Sequence, residues 1–192
     1  MKLFSRFLAF SAFTIIAANP AFAGETSSVE ITDESFGCVL DMTPVRGFFV
    51  DNLLGNLKAT VEIANSPTGG KYPPGSVVQL VPGEVMVKHD ENFNEATNDW
   101  EFFELNVSAE NSKIGKRGFD DVVNKFGGNC FDCHAKAEKQ WDLVCETGHG
   151  CDPLPLTKQM VSVIQKTDPR CKGVVLTDEE KAIAKQLQAL FK

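Results

Sequence analysis

Cys130 and Cys133 are separated by two residues with His134 directly after, and this Cys-Phe-Asp-Cys-His stretch constrains the chain more than any other feature. Cys-x-x-Cys-His is the attachment sequence for c-type haem. Two thiols one turn apart can add to the two vinyl groups of one porphyrin, and the adjacent histidine reaches the iron from the proximal side. A thioredoxin-like redox pair has the same thiol spacing but expects a βαβ setting. Here a Gly127-Gly128 turn and a short helical segment surround the motif. The expectation is therefore one covalent haem c, held by Cys130 and Cys133, with His134 as proximal iron ligand. A single such motif is present, so one haem is expected.

Compartment supports that expectation, because c-type haem is attached outside the cytoplasm. Lys2 and Arg6 form a positive start, Leu3 to Ala18 is otherwise uncharged, and Asn19-Pro-Ala-Phe-Ala23 ends in an Ala-x-Ala pattern. This is the signature of an export signal, residues 1–23, cleaved after Ala23, and it points to a periplasmic protein. The apolar stretch falls short of the about 20 residues a membrane span needs. The mature chain, 24–192, is long enough for one domain with a real core. Of 19 basic residues Lys2 and Arg6 fall in the leader, leaving 17 against 26 acidic ones. Such an acidic chain argues against nucleic acid or an anionic membrane as partner, and fits a redox protein partner or a small ligand.

Six cysteines are ordinary for an exported protein. Beyond the motif pair, Cys38, Cys145, Cys151 and Cys171 remain. Cys145 and Cys151 bracket the short loop Glu-Thr-Gly-His-Gly, so local closure is easy, and Cys38 would then join Cys171. Four cysteines allow three connectivities, and a second metal site using His149 is the rival.

The pattern along the chain predicts an α+β fold, mainly antiparallel sheet with a few helices, with the haem motif on a helical segment in the C-terminal third. Gly47 to Ile63 alternates imperfectly and reads as strand, and Asn65 to Gly75 is a loop. Ser76–Val81 and Glu84–Lys88 read as strands about a Pro82-Gly83 turn, and Asp99 to Ser108 as a third. Gly118 to Phe126 shows helical spacing, with Phe119, Val122, Val123 and Phe126 on one face. A short polar helix should follow His134 to about Val144, and Thr157 to Lys166 is another. Thr177 and Glu180 form a capping box opening a last helix, Asp178 to Phe191, with apolar Ile183, Leu187, Leu190 and Phe191. Residues from about 157 to 192 make a helical extension.

The β-rich first half, Lys71-Tyr-Pro-Pro-Gly-Ser-Val-Val, Trp100-Glu-Phe-Phe, and the late haem motif followed by Asp142-Leu-Val resemble the cytochrome P460 and cytochrome c′-β family, over roughly Phe48 to Val144. The resemblance implies a mostly antiparallel β fold, a five-coordinate haem facing an apolar distal pocket and a frequent homodimer. It also implies that the ligand is a small gas, nitric oxide or carbon monoxide, or that the substrate is hydroxylamine. The family divides over a lysine that crosslinks to the porphyrin. Anchoring on Tyr72-Pro-Pro-Gly75 puts Leu80 at that position and removes the crosslink, which is the preferred alignment. Anchoring on Gly83-Glu-Val-Met-Val puts Lys88 there and would permit an oxidoreductase; otherwise Lys88 is an ordinary solvated charge on an exposed strand position.

The sixth iron position decides between ligand binding and electron transfer. Met42, Met86, Met160, His89 and His149 are the candidate ligands, and Phe48, Phe49, Phe102 and Phe103 are candidate pocket walls, although each type is more often core or surface. The rival reading is a class I electron-transfer cytochrome c. It rests on Phe126 four residues before Cys130, on Leu176-Thr-Asp-Glu-Glu opening the last helix, and on Met160 as axial ligand. Against it, over a hundred strand-rich mature residues precede the motif.

Overall fold

The computed structural model describes residues 29–190. The expected export signal with its cleavage point, and Phe191, lie outside the described residues. The fold is α+β, mainly sheet. Six strands, β1 (Thr43–Val45), β2 (Phe48–Asn52), β3 (Ser76–Val81), β4 (Glu84–Lys88), β5 (Trp100–Val107) and β6 (Ser112–Gly118), pair antiparallel in chain order. The helices are α1 (Leu57–Asn65), α2 (Cys130–His134), α3 (Lys158–Lys166) and α4 (Asp178–Leu190). Among the described residues no helix is long and apolar enough to cross a membrane.

Side chains of a strand alternate between faces, and this sheet is buried on both. Phe48, Val50, Val78, Met86, Trp100 and Phe102 share one core with Ala64 of α1, Cys130 and Val144. Val77, Val85, Val87, Phe103 and Leu105 share the other with Val29, Ile31 and Phe36 of the opening segment. The hairpin at Pro82-Gly83 and the loop at 66–75 fall where the turn residues put them. Disulfides join Cys38 to Cys171 and Cys145 to Cys151. The Cys145–Cys151 bridge takes up both thiols that the second-metal reading of His149 would have used.

Three expectations change. Strand β2 ends at Asn52, and the rest of the expected strand is α1. Asn52 forces the switch: its side-chain oxygen accepts from the Leu54 and Asn56 amides, and its amide group donates to Thr60 and the Pro74 carbonyl. The stretch 118–126 is not helical. The Asn129 side chain holds the Phe119 and Asp120 carbonyls, Val123 bridges to Asn129, and Val123 and Phe126 are exposed while Val122 is buried. After His134 there is only a single 3-10 turn, Lys139–Trp141, ended by left-handed Asp142 and Leu143 (φ 48° and 65°). Strand β6 carries no hydrophobic alternation; its exposed lysines and Arg117 suit a sheet edge. At the C-terminal end Thr157 caps α3, and Thr177 and Glu180 close the expected capping box on α4. Gln165 of α3 donates to the Gly47 and Leu80 carbonyls, joining this segment to the sheet.

Candidate functional site

Helix α2 is one and a half turns long and is held from outside. Asn129 caps it, accepting from the Asp132 amide at 2.9 Å, and the Cys130 amide donates to Val122 at 3.0 Å. The Phe131 ring lies 6.2 Å from Phe102 and 6.3 Å from Phe119, and the His134 ring 5.2 Å from Phe102, so the motif packs on one sheet face. Cys130 and Cys133 are free thiols while the other four cysteines are bridged. Burial, with Glu84 and Cys133 nearby, pushes the Cys130 thiol up to about 12.

His134 Nδ1 lies 2.7 Å from the Leu143 carbonyl. A carbonyl only accepts, so Nδ1 carries the proton and Nε2 keeps its lone pair, the arrangement a metal-ligating histidine needs. Desolvation lowers the His134 pKa, with the Leu143 bond opposing it, which keeps the ring neutral at neutral pH. Unpaired thiols one turn apart and a neutral imidazole with its Nε2 lone pair form a donor set that fits c-type haem, with apolar Val123 and Phe126 exposed in the preceding loop.

The turn that supplies Leu143 is built on a buried ion pair. Lys88 Nζ donates to Asp142 Oδ1 and Oδ2 at 2.9 and 2.7 Å, and to the Asn98 carbonyl. The two side chains are 1% and 4% exposed. Lys88 is thus no solvated charge. Met86 and Lys88 share strand parity and both point inward, while the needed counter-charge comes from a residue far along the chain. Desolvation pushes the Lys88 ammonium below the usual lysine range, and Asp142 opposes the shift. Nζ also lies 5.0 Å from the centre of the Trp100 ring. The Tyr72 amide donates to Asp142 Oδ2 and the Trp100 indole to the Asp142 carbonyl, at 2.8 and 2.7 Å. Gly69 (φ 74°) fits this packing because a Cβ there would lie 2.0 Å from the Gln140 carbonyl oxygen. A cleft of about 470 Å³ borders this turn, lined by Lys71, Asn98, Lys139 and Asp142 among others. The motif thiols and His134 are not among its lining residues.

The other candidates separate by face. Phe48 and Phe102 share the motif's core, whereas Phe103 belongs to the opposite one and Phe49 follows its parity. Met42 packs in the opposite core. His89 bonds Glu101 at 2.7 Å and stacks on Phe93, and Glu101 also holds Arg117 across Phe103. The structure therefore does not bring Met42 or His89 to the motif. His149 stacks on Trp141 at 3.6 Å with its Nδ1 on the Val144 carbonyl. Met86 is buried in the motif's core, Met160 is half-buried on α3, and Leu80 packs at the motif core's margin. In the sequence, the stretches of Asp142, Leu143, Tyr72 and Trp100 stand out only through the family resemblance, which assigns them no role; strand parity at Met86 and Lys88 is a further signal. Comparison with known protein families, curated proteins and solved structures finds no match for this chain.

Proposed function

We propose that this chain is a periplasmic monohaem c-type cytochrome, its haem bonded through Cys130 and Cys133 with His134 as the proximal iron ligand. The observation that carries the reading is the pair of free thiols beside an imidazole whose Nδ1 is committed to the Leu143 carbonyl. The bound group would supply an iron centre for small-ligand binding or one-electron chemistry. His134 would hold the metal and α2 would present the two thiols that bond the group, while Phe102 packs against the imidazole.

An open sixth position is favoured, for a small ligand such as nitric oxide or carbon monoxide. Of the five candidate sixth ligands, Met42 and His89 are committed to the far side of the sheet and His149 is stacked on Trp141. The six-stranded antiparallel sheet is of the kind the P460 and c′-β resemblance implies. Lys88 has its ammonium on Asp142 and Asn98, which weighs against a porphyrin crosslink and so against hydroxylamine oxidation. Electron transfer with Met86 or Met160 as sixth ligand is the second reading, favoured by Met86 lying in the motif's core.

The test is to export the chain with haem-maturation machinery, weigh it, and record the ferrous spectrum before and after carbon monoxide. The expected result is a mass gain of one haem that Cys130→Ala and Cys133→Ala together abolish, and a high-spin spectrum that sharpens with carbon monoxide. A bare polypeptide mass overturns the reading. Low-spin bands indifferent to carbon monoxide replace ligand binding with electron transfer.

A further inference from the structure

We propose that the buried Lys88–Asp142 pair is a positioning device for the axial histidine: it fixes the left-handed Asp142–Leu143 turn whose carbonyl orients His134. This rests on the haem reading above and names the residues that would control its proximal side.

The argument begins with strain. Non-glycine residues rarely adopt left-handed backbone, and they persist where the surroundings over-determine them. Asp142 and Leu143 do so in succession. The carboxylate and the two carbonyls of the turn are held from different parts of the fold. The Asp142 carboxylate takes Lys88 from β4 and the Tyr72 amide from the loop before β3. The Asp142 carbonyl takes the Trp100 indole from β5, and the next carbonyl, of Leu143, takes His134 from α2. Lys88 also reaches the carbonyl of Asn98, which with Asp99 forms a second left-handed pair (φ 49° and 64°). One ammonium, its three N–H bonds all used, thus pins two strained turns.

Stability alone is a weak reason for such a pair, because apolar residues of similar volume often serve as well or better. A left-handed turn whose second carbonyl must meet an imidazole nitrogen at 2.7 Å is a geometric requirement, and a fixed charge pair meets it. The bond to Nδ1 selects the tautomer, orients the ring and raises its basicity toward a metal on Nε2. Lys88, Asp142 and Trp100 act through Leu143; they are positioning residues.

The test uses the full exported chain with ¹⁵N-labelled histidine, as wild type, Asp142→Asn, Lys88→Met and Trp100→Phe. The chain has three histidines, so His89→Gln and His149→Gln assign the His134 ring. The His134 Nδ1–H proton is expected to exchange with water at least about tenfold faster in each positioning variant than in wild type. In haem-loaded protein the ferrous iron–histidine stretching band should move to lower frequency and the reduction potential should rise, since the ligand becomes less basic. Trp100→Phe keeps both charges and an aromatic ring but removes the indole donor along with part of the ring volume, so it reads the device even if the charge variants do not fold. Unchanged exchange and an unchanged band in folded Trp100→Phe, judged by its circular dichroism, overturn the proposal. A chain isolated without haem overturns the haem reading alone, because exchange at His134 still decides whether the pair positions the ring.

Discussion

Among the described residues, two lysine or arginine ion pairs are buried on both sides, and they are put to different use. Arg170 and Asp168 are 5% and 0% exposed and lie two residues apart in sequence. Their spare valences go to the frame. Asp168 accepts from the Val39 amide, and Arg170 donates to Ser112 and to the Phe36 and Pro82 carbonyls, beside the Cys38–Cys171 bridge. That cluster ties the C-terminal segment to the opening segment and the sheet. Lys88 and Asp142 come from distant parts of the chain, and their spare valences lead through a strained turn to an imidazole. Equal chemistry staples segments together in one place and aims a side chain in the other.

If that distinction holds, perturbing the stapling region should lower stability and leave the His134 ring signal unchanged. The largest effect is expected from Cys38→Ser with Cys171→Ser. The bridge spans 133 residues, and chain-entropy loss predicts destabilisation of about 5 kcal/mol by denaturant titration. Arg170→Met should follow at about 3–5 kcal/mol, since it strands the buried Asp168 carboxylate. A change in His134 Nδ1–H exchange in either variant would break the comparison. Cys145→Ser with Cys151→Ser tests the border: a separation of six predicts only about 2 kcal/mol. Cys145 Sγ nevertheless lies 3.5 Å from the Cys133 carbonyl and 3.8 Å from that of His134, so here the ring signal should move.

The smallest effect is one of pH. Burial would raise Asp168, but Arg170 and the Val39 amide outweigh it and hold the carboxyl below its ordinary value. A depressed carboxylate contributes stability that is complete above its unfolded pKa of about 3.9 and lost as pH falls through the lower folded value. Asp168→Asn should flatten that part of the acid limb in a pH series of unfolding curves. An unaltered limb would mean the stapling pair is not what acid attacks there.

The helical setting of Cys130–His134, the strands from 76 to 107, both C-terminal helices and the local disulfide closure were legible because each rests on near neighbours: turn residues, alternation, a capping box. What escaped depended on remote partners. Leu57, Thr60, Val61 and Ala64 do fall on a helical period, but β-branched residues made α1 look like strand until Asn52 is seen holding the Leu54 and Asn56 amides just ahead of it and the Thr60 hydroxyl within it. Residues 118–126 have helical spacing without a helix, because Asn129 claims the carbonyls of Phe119 and Asp120. Lys88 looked solvated because nothing near it in sequence shows that Asp142 will meet it 54 residues later.

Because the six strands neighbour one another in the order they occur in the chain, each can find its partner soon after it is made, the longest connection being the one through α1 between β2 and β3. The contacts that seal the far face behave oppositely, since Val39, Phe36 and Cys38 must wait for Asp168, Arg170 and Cys171. Assembly is therefore expected to run as a quick zipping of the meander followed by a slower docking of the two ends. Over that interval the motif thiols lie on a sheet already formed while the molecule is still open.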